Sequence, residues 1–206
     1  MKTLRHLIEY GLARFILFIF DTLPYGIACA FARGSANLWW LVDRKRRIIA
    51  RDNILRSGIE TDPKQALVLA KRATQHMALV VVESLRSTQF LGDETWRDHV
   101  ELDIKPDVLE ALENPETGLI MVSGHFGNWE IAAHLLSRYK PVAGITRKMN
   151  NPRMEKLIQS RKSRYRFRPI PKYGNNPGRF IDVLKNNEIL ALLFDQHAGN
   201  YGMMID

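Results

Sequence analysis

The chain has 206 residues, of which 46% are apolar and 25% charged, and its formal net charge is +8. These proportions are ordinary for a globular protein, so they argue against a disordered chain and against a polytopic membrane protein. The one cysteine, Cys29, excludes an internal disulfide, and no cysteine pair marks a zinc or iron–sulfur site.

The first 60 residues are predicted to form a helical region that contacts a membrane. Apolar residues recur at helical spacing over 3–57, and Pro24 marks a break because proline cannot continue a helix interior. The apolar stretch over 11–31 is interrupted by charges and falls short of the roughly 20 apolar residues that a spanning helix needs. Two short helices lying on a membrane fit this pattern, and so does a helical hairpin packed on the protein's own core. The sequence leaves both interpretations open.

A basic cluster follows two tryptophans within this region. Trp39 and Trp40 precede the run Arg44-Lys45-Arg46-Arg47. Indole rings favour the headgroup depth of a membrane, where cations can meet lipid phosphate. A core tryptophan beside a solvated helix end is the competing interpretation.

Residues 61–206 are predicted to form an α/β domain. A long helix begins at Pro63, and an acidic segment over 88–116 contains a short helix after Pro106. Strands are predicted at 118–123, 142–146, 167–170 and 189–194, and helices at 128–139, 152–164 and 177–186. This alternation predicts a mainly parallel or mixed sheet flanked by helices. Residues 202–206 resemble the start of another strand, so we expect the domain to be incomplete at its C-terminus.

The segment from Ser123 to Glu130 lies where a predicted strand ends and a helix begins, the position where open α/β sheets bind ligands. Gly127 permits close approach of a substrate, and Asn128 is a candidate N-cap. His125 and Glu130 can meet only if His125 lies in the loop and Glu130 in the first helical turns. A carboxylate that binds one imidazole nitrogen fixes the tautomer and leaves the other free to accept a proton. The pattern therefore predicts His125 as a general base and Glu130 as its orienting carboxylate, although such a pair in isolation is more often structural.

Between Lys140 and Phe180 the chain carries twelve lysines and arginines against one acid, Glu155. An excess of this size indicates an anionic partner, with a solvated basic face as the alternative. Within it, Arg161–Arg168 interleaves cations with aromatics, as single-strand nucleic-acid binders do. If part of this segment were a strand, however, the aromatics would face the core, and no nucleic-acid-binding motif is present.

A zinc site built from His125, His134, Asp195 and His197 is disfavoured, because their spacing matches no ligand pattern. We therefore predict no metal.

The stretch Gly124–Glu130 resembles the signature of the bacterial lipid A late acyltransferases (lauroyl/myristoyl transferases), which belong to the wider group of glycerolipid acyltransferases. Three further segments are similar to family segments: Arg47–Asn53, Arg147–Pro152 and Phe194–Gln196. The resemblance covers essentially the whole chain in order. One departure is His197, which stands where an acidic residue is expected.

The resemblance implies transfer of an acyl group from acyl-acyl carrier protein to a hydroxyl of a lipid A precursor, at the cytoplasmic face of the inner membrane. It implies no cofactor and no nucleic-acid partner. The predicted catalytic residues are His125 and Glu130. The predicted substrate-binding residues are Gly127, Asn128, Arg147, Asp195, Gln196 and either Arg161 or Arg164, between which the sequence does not decide. A lysophospholipid or other glycolipid acyltransferase would share the motif and differ in its acceptor. The family also continues beyond the length of this chain, which supports the expectation of a C-terminal truncation.

Overall fold

A computed structural model describes residues 2–172 and 177–196. The chain divides into two compact units. One is the helical unit, Phe15–Arg86, and the other, the α/β unit, combines the residues before Phe15 with those from Ser87 onward. The predicted domain boundary after residue 60 stays a prediction.

Four helices make up the N-terminal part of the chain: α1 (Lys2–Thr22), α2 (Tyr25–Val42), α3 (Arg44–Ser57) and α4 (Pro63–Leu85). The break after α1 falls at Pro24, as predicted, and Gly58 ends α3 in the left-handed conformation that glycine adopts without strain. The Asp62 carboxylate caps α4 by accepting hydrogen bonds from the backbone N–H groups of Lys64 and Gln65. The predicted helices over 3–57 and from Pro63 are therefore confirmed.

The core of the helical unit lies between α2 and α4. Ala28 and Ala32 are buried against Val82 and Phe20, and the small alanine side chains allow the two helices to approach closely. Within this unit, large apolar side chains of α1 and α2 remain exposed, among them Phe15, Phe18, Ile27 and Phe31. Within the described ranges, no helix combines the length and apolar character needed to cross a membrane.

The α/β unit begins with short helical segments and then alternates strands with helices. Before the sheet lie α5 (Ser87–Phe90), a 3-10 turn (Trp96–Asp98) and α6 (Pro106–Glu113). The alternating part comprises β1 (Leu119–Ser123), α7 (Trp129–Leu136), β2 (Val142–Thr146), α8 (Pro152–Lys162), a 3-10 turn (Ser163–Tyr165), β3 (Phe167–Pro171), α9 (Gly178–Lys185) and β4 (Ile189–Leu193). The strands form one sheet in the order β1-β4-β2-β3, and every pairing between them is parallel. The predicted α/β fold is thus confirmed, whereas the strand predicted at 202–206 lies outside the described residues.

The central strands supply the core of this unit. Val142 and Ala143 of β2 and Ile189 and Leu190 of β4 are almost fully buried. Continuous apolar runs are expected for parallel strands that are covered on both faces. Their burial fixes the sheet, and the sheet in turn fixes where the loops at its carboxyl ends meet.

Gly118 provides a test of this packing. A Cβ atom at Gly118 would lie 2.7 Å from the Leu184 Cα and would overlap the backbone there, which is closer than real Cβ atoms approach. We expect Gly118→Ala to lower the free energy of unfolding by about 1–3 kcal/mol, because the end of α9 would have to shift. Urea denaturation would measure this loss.

Gly34→Ala is the matched control, since nothing lies within 4 Å of the corresponding Cβ position inside α2. That change is expected to stabilise the protein by about 0.5–1 kcal/mol. Equal stability of Gly118→Ala and the unmodified protein would contradict the described packing.

Candidate active site

The adjacent carboxyl ends of β1 and β4 bring together two loops that are distant in sequence. Ser123 pairs with Leu193 at the end of the ladder, and the Phe194 N–H donates to the Ser123 carbonyl at 3.0 Å. The loop over 124–128 therefore lies beside 194–196. This edge of a parallel sheet is where open α/β folds bind their ligands.

Within these loops, one carboxylate holds His125 at two points. The Asp195 Oδ1 lies 2.7 Å from the His125 Nδ1, and the His125 backbone N–H donates to Asp195 Oδ2 at 2.6 Å. Gly124 leaves room for this carboxylate, because a Cβ there would lie 3.2 Å from Asp195 Oδ2. The His125 ring also makes a T-shaped contact with the Trp129 ring, and the two ring centroids are 5.1 Å apart.

The charge of Asp195 favours one tautomer of the neutral imidazole. The hydrogen bond from the His125 ring, followed by the one from its backbone N–H, holds the pKa of Asp195 below its usual value. An ionised carboxylate can only accept hydrogen bonds, so the Nδ1 must carry the proton in this pair. In the neutral ring the Nε2 then has a free lone pair. The arrangement can therefore take a proton from a substrate hydroxyl.

Glu130 lies in the first turn of α7 and His125 in the preceding loop, the placement that the sequence predicted. Glu130 nevertheless binds other groups: its Oε1 accepts from the Lys162 Nζ at 2.6 Å and its Oε2 from the Tyr165 hydroxyl at 3.4 Å. No hydrogen bond joins His125 to Glu130 in the described part of the chain. The role of Glu130 as orienting carboxylate stays a prediction.

The sequence did not predict the partners of His125 and Glu130. Asp195 was predicted to bind substrate, and its contact with His125 was not foreseen. The available signal was its position directly after a strand, because carboxyl ends of parallel strands meet at one edge. Nothing in the sequence pointed to Lys162 and Tyr165 as partners of Glu130. Lys162 lies 32 residues further along the chain, at the end of α8, and Tyr165 lies 35 residues further, in the 3-10 turn.

The other predicted residues surround this edge or lie beyond it. Gly127 has a φ of 58°, in the region that favours glycine, and the Asn128 Oδ1 caps α7 by accepting from the Ile131 N–H at 3.2 Å. Gln196 is exposed next to Asp195, and Arg147 is exposed directly after β2. The predicted N-cap is confirmed, whereas substrate binding by these residues stays a prediction.

The two candidate arginines differ in exposure. Arg161 is half-buried in the last turn of α8, and Arg164 is exposed in the 3-10 turn that follows. Neither position by itself marks a contact with substrate. The structure therefore does not choose between them.

Behind Glu130 lies a buried aromatic pair. The His134 ring stacks on Tyr165 with centroids 4.2 Å apart, and both residues are buried. Burial raises the pKa of Tyr165, and the nearby Glu130 charge raises it further. A buried Tyr165 cannot serve as an exposed platform for stacking bases, which weighs against the nucleic-acid interpretation.

His134 makes stability depend on pH. Burial, assisted by the positive charge of Arg138, lowers the pKa of His134 from 6.5 to about 4. Between these values the unfolded chain binds a proton that the folded chain does not. The free energy of unfolding should therefore fall as the pH drops from about 6.5 to about 4.

We expect His134→Phe, which retains a ring against Tyr165, to flatten this slope in urea denaturations performed across the same pH range. His76→Ala should leave it unchanged, because His76 is exposed on α4. Identical slopes in His134→Phe and the unmodified protein would show that His134 does not titrate as described.

No group of three or more potential metal-ligating side chains occurs within residues 2–172 and 177–196. His197, one of the residues considered for zinc and the departure from the family pattern, lies outside those ranges.

Comparison with known proteins assigns the chain to a family. A search of curated proteins finds no significant match. The family model described as bacterial lipid A biosynthesis acyltransferase matches residues 1–206, the whole chain. The match includes the loop that carries His125 and the segment that carries Asp195. The chain therefore belongs to the bacterial lipid A biosynthesis acyltransferase family.

Proposed function

We propose that this lipid A biosynthesis acyltransferase takes its acyl group from acyl-acyl carrier protein and places it on a hydroxyl of a lipid A precursor, with His125 as the general base. The observation that carries the proposal is the 2.7 Å contact between His125 Nδ1 and Asp195 Oδ1. It directs a basic Nε2 away from the carboxylate. His125 is also partly exposed, with 29% of its side chain accessible, so a substrate can reach it.

The proposed reaction needs no nucleophile from the protein. The His125 Nε2 takes the proton of the acceptor hydroxyl as that oxygen attacks the thioester carbonyl carbon. The tetrahedral intermediate collapses, the carbon–sulfur bond breaks, and the imidazolium returns its proton to the departing thiolate. Asp195 holds the ring orientation and stabilises the imidazolium in between, as a carboxylate does in a catalytic triad.

Glu130 remains the second candidate for an orienting carboxylate. In the structure both of its oxygens are engaged, by Lys162 and by Tyr165. To orient His125, Glu130 would have to accept a further hydrogen bond from the imidazole, which the described contacts do not include. Replacing Glu130 and Asp195 separately distinguishes the two roles.

The proposed substrates are both anionic, which suits the basic segment between β2 and β3. We assign substrate contacts to Gly127, Asn128, Arg147, Gln196 and one of the two arginines Arg161 and Arg164. Phosphates of the acceptor and acidic side chains of the carrier protein would meet these cations. We also propose a location on the cytoplasmic side of the inner membrane, supported by the exposed apolar side chains of α1 and α2.

A transfer assay with a labelled acyl group on acyl carrier protein tests the proposal. The protein is offered either a lipid A precursor or a lysophospholipid as acceptor. We expect label to appear on the lipid A precursor. Label only on the lysophospholipid would show that the acyl-transfer reaction is right and the proposed acceptor is wrong. If the folded protein transferred label to neither acceptor, the proposal would be rejected.

A further inference from the structure

A cavity of about 600 Å³ lies where α2 ends and α3 begins, entirely within the helical unit. We call it the corner cavity. Trp39 and Trp40 line it from α2, and Lys45, Arg46 and Arg47 line it from the first turn of α3. Its lining includes no residue of the loops that carry His125 and Asp195.

The lining of the corner cavity is positively charged. Against its three cations stands one acid, Asp43, whose Oδ1 accepts from the Arg46 backbone N–H at 2.9 Å. The Asp43 Oδ2 also lies 3.5 Å from the Arg46 Nε, so these two charges balance. Lys45 and Arg47 therefore give the cavity a net positive charge, which suits an anion.

Arg47 is held in place by the cavity wall. Its Nη1 donates to the Trp40 carbonyl at 3.3 Å, and its guanidinium lies over the Trp40 ring, 5.9 Å from the centroid. Trp40 itself is buried. The cation is thus supported by an aromatic ring and keeps further N–H donors, which a guanidinium can offer to a phosphate.

Beside these cations the end of α2 exposes large apolar side chains. Trp39, Leu38, Leu41 and Val42 are each more than half exposed. A soluble anion would gain nothing from such neighbours. An amphiphile would, because its phosphate could bind the cations while its acyl chains contact the apolar side chains.

We propose that the corner cavity binds the phosphodiester headgroup of an anionic phospholipid in a bilayer, with Trp39 and the end of α2 entering the acyl-chain region. This site concerns lipid binding only and does not depend on the acyl-transfer reaction. It can therefore be confirmed or rejected whatever the outcome of the transfer assay.

Binding of the full chain to vesicles tests the proposal. One set of vesicles contains phosphatidylglycerol mixed with phosphatidylcholine, and the other contains phosphatidylcholine alone. The double variant Lys45→Gln/Arg46→Gln replaces two exposed cations and removes the net positive charge of the cavity. We expect it to weaken binding to the phosphatidylglycerol vesicles roughly tenfold or more.

The matched control is Lys64→Gln/Lys71→Gln, which removes the same charge from exposed positions of α4 outside the cavity. It should change binding much less. If both double variants lost the same amount of vesicle binding, the attraction would depend only on total charge and not on the corner cavity, and the proposal would be overturned. Circular dichroism establishes that both variants fold.

Quenching by brominated lipids locates the contact. We expect tryptophan fluorescence to be quenched in vesicles containing brominated phosphatidylglycerol, and Trp39→Phe to reduce that quenching, with the remainder due to Trp40 in the same cavity. Quenching that is undiminished in Trp39→Phe would overturn the proposal. So would competition by glycerol phosphate together with no binding to vesicles, because the site would then take a soluble phosphate ester.

Discussion

Replacing His125 with alanine is expected to lower the turnover number for acyl transfer by about two to four orders of magnitude while the protein stays folded. The imidazole is the group that removes the hydroxyl proton, and alanine offers no base. The loss should fall on kcat, because the ring acts as the proton moves and contributes less to binding of either substrate. Initial rates at saturating donor and acceptor measure it.

His76→Ala is the control for this change. His76 is exposed on α4 in the helical unit, whereas His125 belongs to the α/β unit, so its loss should leave the rate unchanged. Thermal unfolding of both variants shows whether the fold survives. A His125→Ala protein that is folded and retains the full rate would exclude His125 as the base.

Asp195→Asn is the second change with a large expected effect. The asparagine amide would offer an N–H to Nδ1, which favours the tautomer with the proton on Nε2 and removes the basic lone pair from the substrate side. We expect kcat to fall about a hundredfold or more. The KM for the donor and the unfolding midpoint should change little. The pH dependence of kcat should also differ from that of the unmodified protein. Such a difference would show that the change acts on the His125 imidazole and not only on the fold.

Glu130→Gln is the comparison that decides between the two carboxylates. Glutamine can still accept a hydrogen bond from Lys162 or Tyr165, so we expect a smaller loss of kcat than in Asp195→Asn. If Glu130→Gln were the more damaging change, the arrangement predicted from sequence, with Glu130 orienting His125, would be favoured over the described one.

Local signals in the sequence predicted the four strands and most of the longer helices, but not the helix break at Asp43, the helix α5 or the two 3-10 turns. Pro24 and the Asp62-Pro63 pair placed helix ends, because a proline ring and a capping carboxylate act on their immediate neighbours. Continuous apolar runs predicted β1 and β4, which pair side by side in the sheet. The loop that carries His125 was also predicted from local signals, because it contains glycine and lies where a predicted strand ends and a helix begins.

The partners within the site could not be predicted in this way. His125 meets Asp195 across 70 residues only because β1 and β4 are neighbours, in the strand order β1-β4-β2-β3. That order depends on packing of the whole sheet, and no local pattern encodes it. Proximity in the chain instead favoured Glu130, whose carboxylate binds Lys162 and Tyr165.

Direct transfer of an acyl group to a lipid A precursor, dependent on His125, can be observed on the acceptor itself. The measurement is mass spectrometry of the acceptor after incubation with acyl-acyl carrier protein. We expect an acceptor heavier by one esterified acyl group with the unmodified protein, and little or none with His125→Ala. An unchanged acceptor with the folded, unmodified protein, or equal product from both proteins, would contradict it.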